Sequence, residues 1–148
     1  MKDVMEKQLT DLGFEKIYSN EYAEVYTNRS RKTISCKITA DYVPIRFFIE
    51  TFNQISKQVL HGSFEKFIFD KRELRTFHQP SMEWYFIEWK TKMIESGLVK
   101  HRKLLPDLPW FVKAVEIAKK PLLEKIPNEV MDQLDIIYCD SLEEALDR

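Results

Sequence analysis

The sequence predicts an α/β fold with a mixed, largely parallel sheet, an N-terminal antiparallel hairpin and crossover helices. Residues 22–26 (Tyr-Ala-Glu-Val-Tyr) and 33–38 (Thr-Ile-Ser-Cys-Lys-Ile) alternate apolar and polar positions around the turn residues Asn28, Arg29 and Ser30, the pattern of a hairpin. The run Lys66-Phe67-Ile68-Phe69-Asp70 is nearly all apolar and ends in an acid. Such a strand is buried on both faces and belongs to a sheet covered by helices. After the hairpin, helical and strand patterns alternate, so each crossover helix returns the chain to the same edge. The strands it joins run parallel, through right-handed crossovers.

The elements follow in order. Residues 1–13 contain a short helix that stops at Leu12-Gly13, glycine being the common residue just past a helix end. Residues 14–18 add an edge strand before the hairpin. Pro44 suits a first helical turn, and Ile45, Phe48, Ile49, Phe52, Ile55, Ser56, Val59 and Leu60 then share one helical face until His61-Gly62. A second helix, from about Pro80 to Ser96, buries Met82, Tyr85, Phe86, Trp89 and Met93 and ends at Gly97. Basic Lys100-His101-Arg102-Lys103 leads into a short strand at Leu104-Leu105. Pro109 opens a helix with Phe111, Ala114, Val115 and Ala118 inside, which Pro121 interrupts or kinks. A short helix over 128–133, a strand over 134–139 and a terminal helix capped by Asp140 or Ser141 complete the chain.

At 148 residues the chain has the length of a single domain spanning 1–148. Hydrophobic residues are 44% of it and aromatics 13%, enough to build a core without disulfide or metal. The 23 Lys and Arg against 24 Asp and Glu leave a net charge of −1, which lacks the electrostatic footprint of a nucleic-acid binder. No apolar run is long enough for a membrane span, and the charged N-terminus is unlike a signal peptide, which points to the cytoplasm. Cys36 and Cys139 read as two reduced, buried thiols. No metal-ligand spacing, glycine-rich phosphate loop or nucleophile elbow is present, so no cofactor is expected.

In element order, in Phe67-Ile68-Phe69-Asp70-Lys71-Arg72-Glu73-Leu74 and in the ending Ile137-Tyr138-Cys139-Asp140-Ser141-Leu142-Glu143-Glu144-Ala145-Leu146, the chain resembles the SpoIIAA-like, or STAS, group of bacterial anti-sigma-factor antagonists. It more closely resembles the SpoIIAA-like proteins related in fold to CRAL-TRIO lipid-binding domains. The resemblance covers roughly residues 20–147. It implies a SpoIIAA-like fold and a non-enzymatic regulatory domain that binds a protein partner. The CRAL-TRIO relation implies the alternative, a small-molecule or lipid-binding domain with an apolar pocket among the aromatic helices. In STAS proteins a serine in an Asp-Ser-Ser/Thr-Gly signature at a helix N-terminus is phosphorylated. That signature aligns on His78-Gln79-Pro80-Ser81, where its Asp, serine and Gly are missing, so the phosphoserine motif is not intact.

Ligands of open α/β sheets bind beyond the carboxyl ends of the strands. That edge collects Asp70, Lys71, Arg72, Arg75, Thr76, His78 and Ser81 with Tyr42 and Trp110, whereas residues 100–103, which begin a strand, fall at the opposite edge. The two basic clusters are therefore expected not to converge. Ser81 is a candidate phosphate acceptor and Thr76 a weaker one, although the ordinary role of Ser81 is an N-cap. Catalysis would require His78, Asp70 and Ser81 to meet within hydrogen-bond reach. On helical wheels Trp84 joins the polar side of Glu88, Thr91 and Glu95, and Phe47 that of Thr51, Gln54 and Gln58. Exposed aromatics of this kind mark a protein contact, a homodimer included, or a lipid contact, unless either residue lies under another helix.

Overall fold

A computed structural model describes residues 8–148. The helix expected over 1–13 lies partly outside them. Its described part, residues 8–11, ends in a turn at Gly13, whose φ of +94° is a left-handed conformation that suits glycine. β1 (Glu15–Ser19) and β2 (Ala23–Asn28) pair antiparallel, as do β2 and β3 (Thr33–Ile38). Between β2 and β3 a 3-10 turn, Arg29–Arg31, is capped by the Asn28 side chain, which accepts from the Arg31 amide at 3.2 Å.

The rest alternates as expected. α1 (Ile45–His61) leads to β4 (Lys66–Asp70), and α2 (Gln79–Glu83, Trp84–Trp89 and Lys90–Glu95 in unbroken succession) leads to β5 (Lys100–Leu104). α3 (Pro109–Leu123) and α4 (Asn128–Gln133) precede β6 (Asp135–Tyr138), and α5 (Leu142–Asp147) follows it. The six strands lie in chain order, with β3 to β6 parallel. Each parallel step moves one strand in the same direction, and crossovers of one hand then place their helices on one face. Phe52 of α1, Trp89 of α2, Phe111 of α3 and Val130 of α4 accordingly share a core with Val25, Ile34, Phe67 and Phe69. A buried Phe of this kind contributes about 1.5–3 kcal/mol. The other face carries a smaller core, in which Tyr26, Ile68 and Leu104 lie under Leu9, Phe14 and the Leu142, Ala145 and Leu146 of α5.

Several expectations need correction. The middle of α2, Trp84–Trp89, is π-helical. Its wider turn shifts the inward stripe from the 3.6-residue wheel, and Trp84 is half-buried, edge-on to Phe48 and Phe52 at 6.2 and 6.4 Å, rather than exposed. Phe47 is also half-buried, 4.8 Å from the Tyr22 ring. Leu60, expected inside, is exposed. His78, not Ser81, occupies the N-cap position of α2, and Ser81 is buried within its first turn. α3 continues through Pro121 for two residues. The strand expected at Leu104-Leu105 is made instead by the basic run itself. Gly97 does end the second helix region, at φ +95°, and Ser141 caps α5, its Oγ accepting from the Glu144 amide at 3.1 Å. Cys36 and Cys139 are free and buried.

Candidate functional site

The charged strand β5 explains how the site is built. Pairing in register with β4, it sets His101 beside Phe67 and Lys103 beside Phe69, on the face covered by helices, and Arg102 beside Ile68 on the other. All three are buried, each in a different way. His101 places Nε2 2.7 Å from the Leu98 carbonyl, and burial, reinforced by Lys90, holds its pKa well below the usual value. Arg102 donates to the Asp135 carboxylate at 3.1 Å and to its carbonyl at 2.9 Å. Lys103 has neither arrangement and lines a cavity.

This cavity, of about 70 Å³, lies between the carboxyl ends of β4 and β5, the connector after β4, and helices α2 and α3. Aromatic rings, among them Phe69, Phe86 and Phe111, share its wall with aliphatic side chains such as Ile38, Leu74 and Val115. Lys71, Lys103 and Lys119 also line it. The Lys103 Nζ lies 5.1 Å from the Phe86 ring centre, and the Lys71 Nζ 5.1 Å from that of Phe69. Lys90, fully buried behind the wall, has its Nζ 4.7 Å from the Phe86 ring centre and 5.2 Å from that of Tyr85. Such contacts with ring faces attract cations, but they do not neutralise them. Among the described residues no carboxylate forms an ion pair with Lys71, Lys90 or Lys103. Lys119 instead donates to the Tyr138 hydroxyl at 2.5 Å.

Burial, with repulsion from the neighbouring lysines, holds Lys71 and Lys103 well below the ordinary lysine range. Burial lowers Lys90 to about 7. The expectation that the two basic clusters stay apart is therefore corrected: Lys103 ends its strand on the same side as Lys71, and both reach one cavity.

Of the residues singled out from the sequence, Thr76, His78 and Ser81 also line the cavity. His78 Nδ1 lies 3.1 Å from the Ser81 Oγ, and its ring stands edge-on to Tyr42 at 6.2 Å. Thr76 is exposed, and its amide and that of Arg75 both donate to the Asp41 carbonyl, at 3.1 and 2.8 Å. Asp70 is engaged elsewhere: its carboxylate accepts from Arg72 Nε and Nη2 at 2.9 and 2.7 Å and from the Arg72 amide at 3.1 Å. It thus closes the turn after β4, and no hydrogen bond joins it to His78. Trp110 is 61% exposed at the start of α3, outside the cavity wall. A cavity of this size is far below the roughly 300 Å³ at which sites for drug-sized ligands begin, so a lipid tail does not fit it as it stands.

Lys90 and Lys103 were the site residues missed, yet both carried a signal. Lys90 falls four positions after Phe86 and three before Met93, inside the apolar stripe of its helix. Lys103 shares the strand alternation of His101, and the flanking Leu104 and Leu105 mark the segment as interior.

The sheet order, its antiparallel beginning and its helix-covered parallel half define a SpoIIAA-like, STAS-type fold. Among solved structures the chain is similar to one described as the anti-sigma factor antagonist SpoIIAA in its unphosphorylated form, with a TM-score of 0.57 and 14% identity over 91% of this chain and 94% of that one. No family model matches the sequence, and no curated protein matches it at a significant level.

Proposed function

We propose that this chain is a non-enzymatic regulatory domain that binds another protein, with its contact face on the rim around the cavity mouth. The observation that carries this reading is the fold shared with an anti-sigma factor antagonist along 91% of the chain. The rim adds support. The connector after β4 stands where the resemblance puts the phosphorylated loop, and it presents exposed Arg75 and Thr76 beside exposed Tyr42. Trp110 offers a large exposed ring on the neighbouring helix, and Trp and Arg are favoured anchors in protein interfaces. Ser81, at 4% exposure, is a poor phosphate acceptor without local opening, whereas Thr76 is open to solvent.

The test is affinity capture from an extract of the source cells, using the wild-type chain, Arg75→Glu, Trp110→Ala and a control change at Lys57 on α1. One protein should be retained by the wild type and the control and lost from the two rim variants. Retention of no protein by the wild type, or of the same protein by all four, defeats the reading.

A further inference from the structure

We propose that the lysine-lined cavity binds a small monocarboxylate with a short apolar tail, its negative charge neutralised by Lys71 and Lys103. This goes beyond the protein-binding reading and does not depend on it. Buried lysines are ordinarily paired, yet the buried Lys103 lines this cavity beside half-buried Lys71, with Lys90 buried behind its wall, and none of the three has a carboxylate partner among the described residues. Glu116, on the cavity wall, is exposed and forms no ion pair with them. Packing does not require the charges, because a methionine would supply a comparable apolar stem.

A second observation is independent of charge. The hydroxyl of Tyr85, a cavity-lining residue only 3% exposed, has no hydrogen-bond partner in the protein, and neither does the buried Lys90 Nζ. Buried polar groups left in this way are costly and mark a place where a ligand can complete the bonding. The size of the cavity narrows the ligand. Its volume of about 70 Å³ is several times the roughly 10–15 Å³ that one water needs in a cavity, room for a carboxylate of two or three carbons. Its lining favours a carboxylate with an apolar tail over phosphate: Phe69, Phe86 and Phe111 with the aliphatic Leu74 and Val115 stand beside the lysines, and the polar side chains are few, Thr76, His78 and Ser81 among them.

The experiment titrates the full chain with propionate, with its neutral counterpart propionamide and with inorganic phosphate, following binding by NMR and calorimetry. Propionate should perturb Tyr85 and Phe86 resonances and bind at least about tenfold more tightly than either of the others. Lys103→Met and Lys71→Met should each weaken propionate binding about tenfold or more while keeping the folded spectrum. Equal binding of propionamide, tighter binding of phosphate, undetectable binding of propionate, or undiminished affinity in whichever of the two variants folds would overturn the proposal.

Discussion

Replacing Lys90 by methionine should make the protein more stable. The side chain is fully buried, its Nζ has no partner, and burial lowers its pKa from the ordinary 10.5 to about 7. At about 1.4 kcal/mol per pH unit, that fall corresponds to a cost at neutral pH of about 4 kcal/mol, once half of the folded molecules are allowed to shed the proton. Methionine keeps the unbranched stem and removes the charge, so Lys90→Met should raise the unfolding free energy by roughly 2–4 kcal/mol, the lower bound allowing for relaxation around the amine. The corresponding rise in Tm is roughly 5–15 °C.

Urea unfolding at pH 7 and pH 9 provides the assay. Between those values the unfolded chain holds a proton on Lys90 that the folded chain releases, so wild-type stability should rise with pH. Lys71 and Lys103, also lowered, add in the same direction. Above pH 9 the raised Cys36 and Tyr85 act the opposite way, which fixes the upper end of the window. The variant should show a shallower rise. A Lys90→Met protein less stable than the wild type at pH 7, or one with an unchanged slope, would show that the ammonium is satisfied in the fold and would refute the reasoning.

Three further outcomes are expected. His101 is held neutral in the fold, so between pH 6.5 and 5 the unfolded state takes up a proton that the folded state resists, and stability should fall by up to about 1.4 kcal/mol per pH unit; the urea midpoint of the wild type compared with His101→Phe measures it. Asp70→Ala removes three hydrogen bonds and leaves Arg72 without its partner, which should cost about 2–3 kcal/mol in urea unfolding; a change under about 0.5 kcal/mol would mean the pair is only a surface contact. Burial pushes the Cys36 thiol up, so it should react with a disulfide reagent only at the rate of unfolding, and prompt labelling of the native protein would contradict that.

The legible parts of the sequence were those where one residue pattern admits one physical solution. Phe67-Ile68-Phe69 can bury both faces only in a covered sheet, and β4 does so. The stops at Gly13 and Gly97 were visible because positive φ is costly for other residues. The site was hidden because charge normally reports exposure. Lys-His-Arg-Lys looks solvated, yet β5 is an interior strand whose burial is set by its neighbours on both sides, β4 and β6. Trp84 was misplaced for a different reason: a wheel assumes 3.6 residues per turn, and one wide turn upstream of Lys90 alters which positions face inward. Of the candidate residues, Thr76, His78 and Ser81 reach the cavity, while Asp70 is occupied by Arg72.

The strand order has a consequence for how the molecule assembles. Every strand after the first pairs with the one made just before it, so the sheet can lengthen from one edge without leaving a gap for a later segment to enter. The two hairpins close short loops, whereas each of the three parallel pairings closes a whole crossover and is slower to form; the order nevertheless suits growth during synthesis, when the N-terminal part is available first. The last helix reverses the direction. Arg31 and Lys66 both donate to the Leu146 carbonyl, at 3.1 and 2.5 Å, and Gln8 donates to Glu143 at 2.6 Å. The end of the chain thereby ties back to its beginning, and the fastening of α5 is the step that makes the early strands dependent on the late ones.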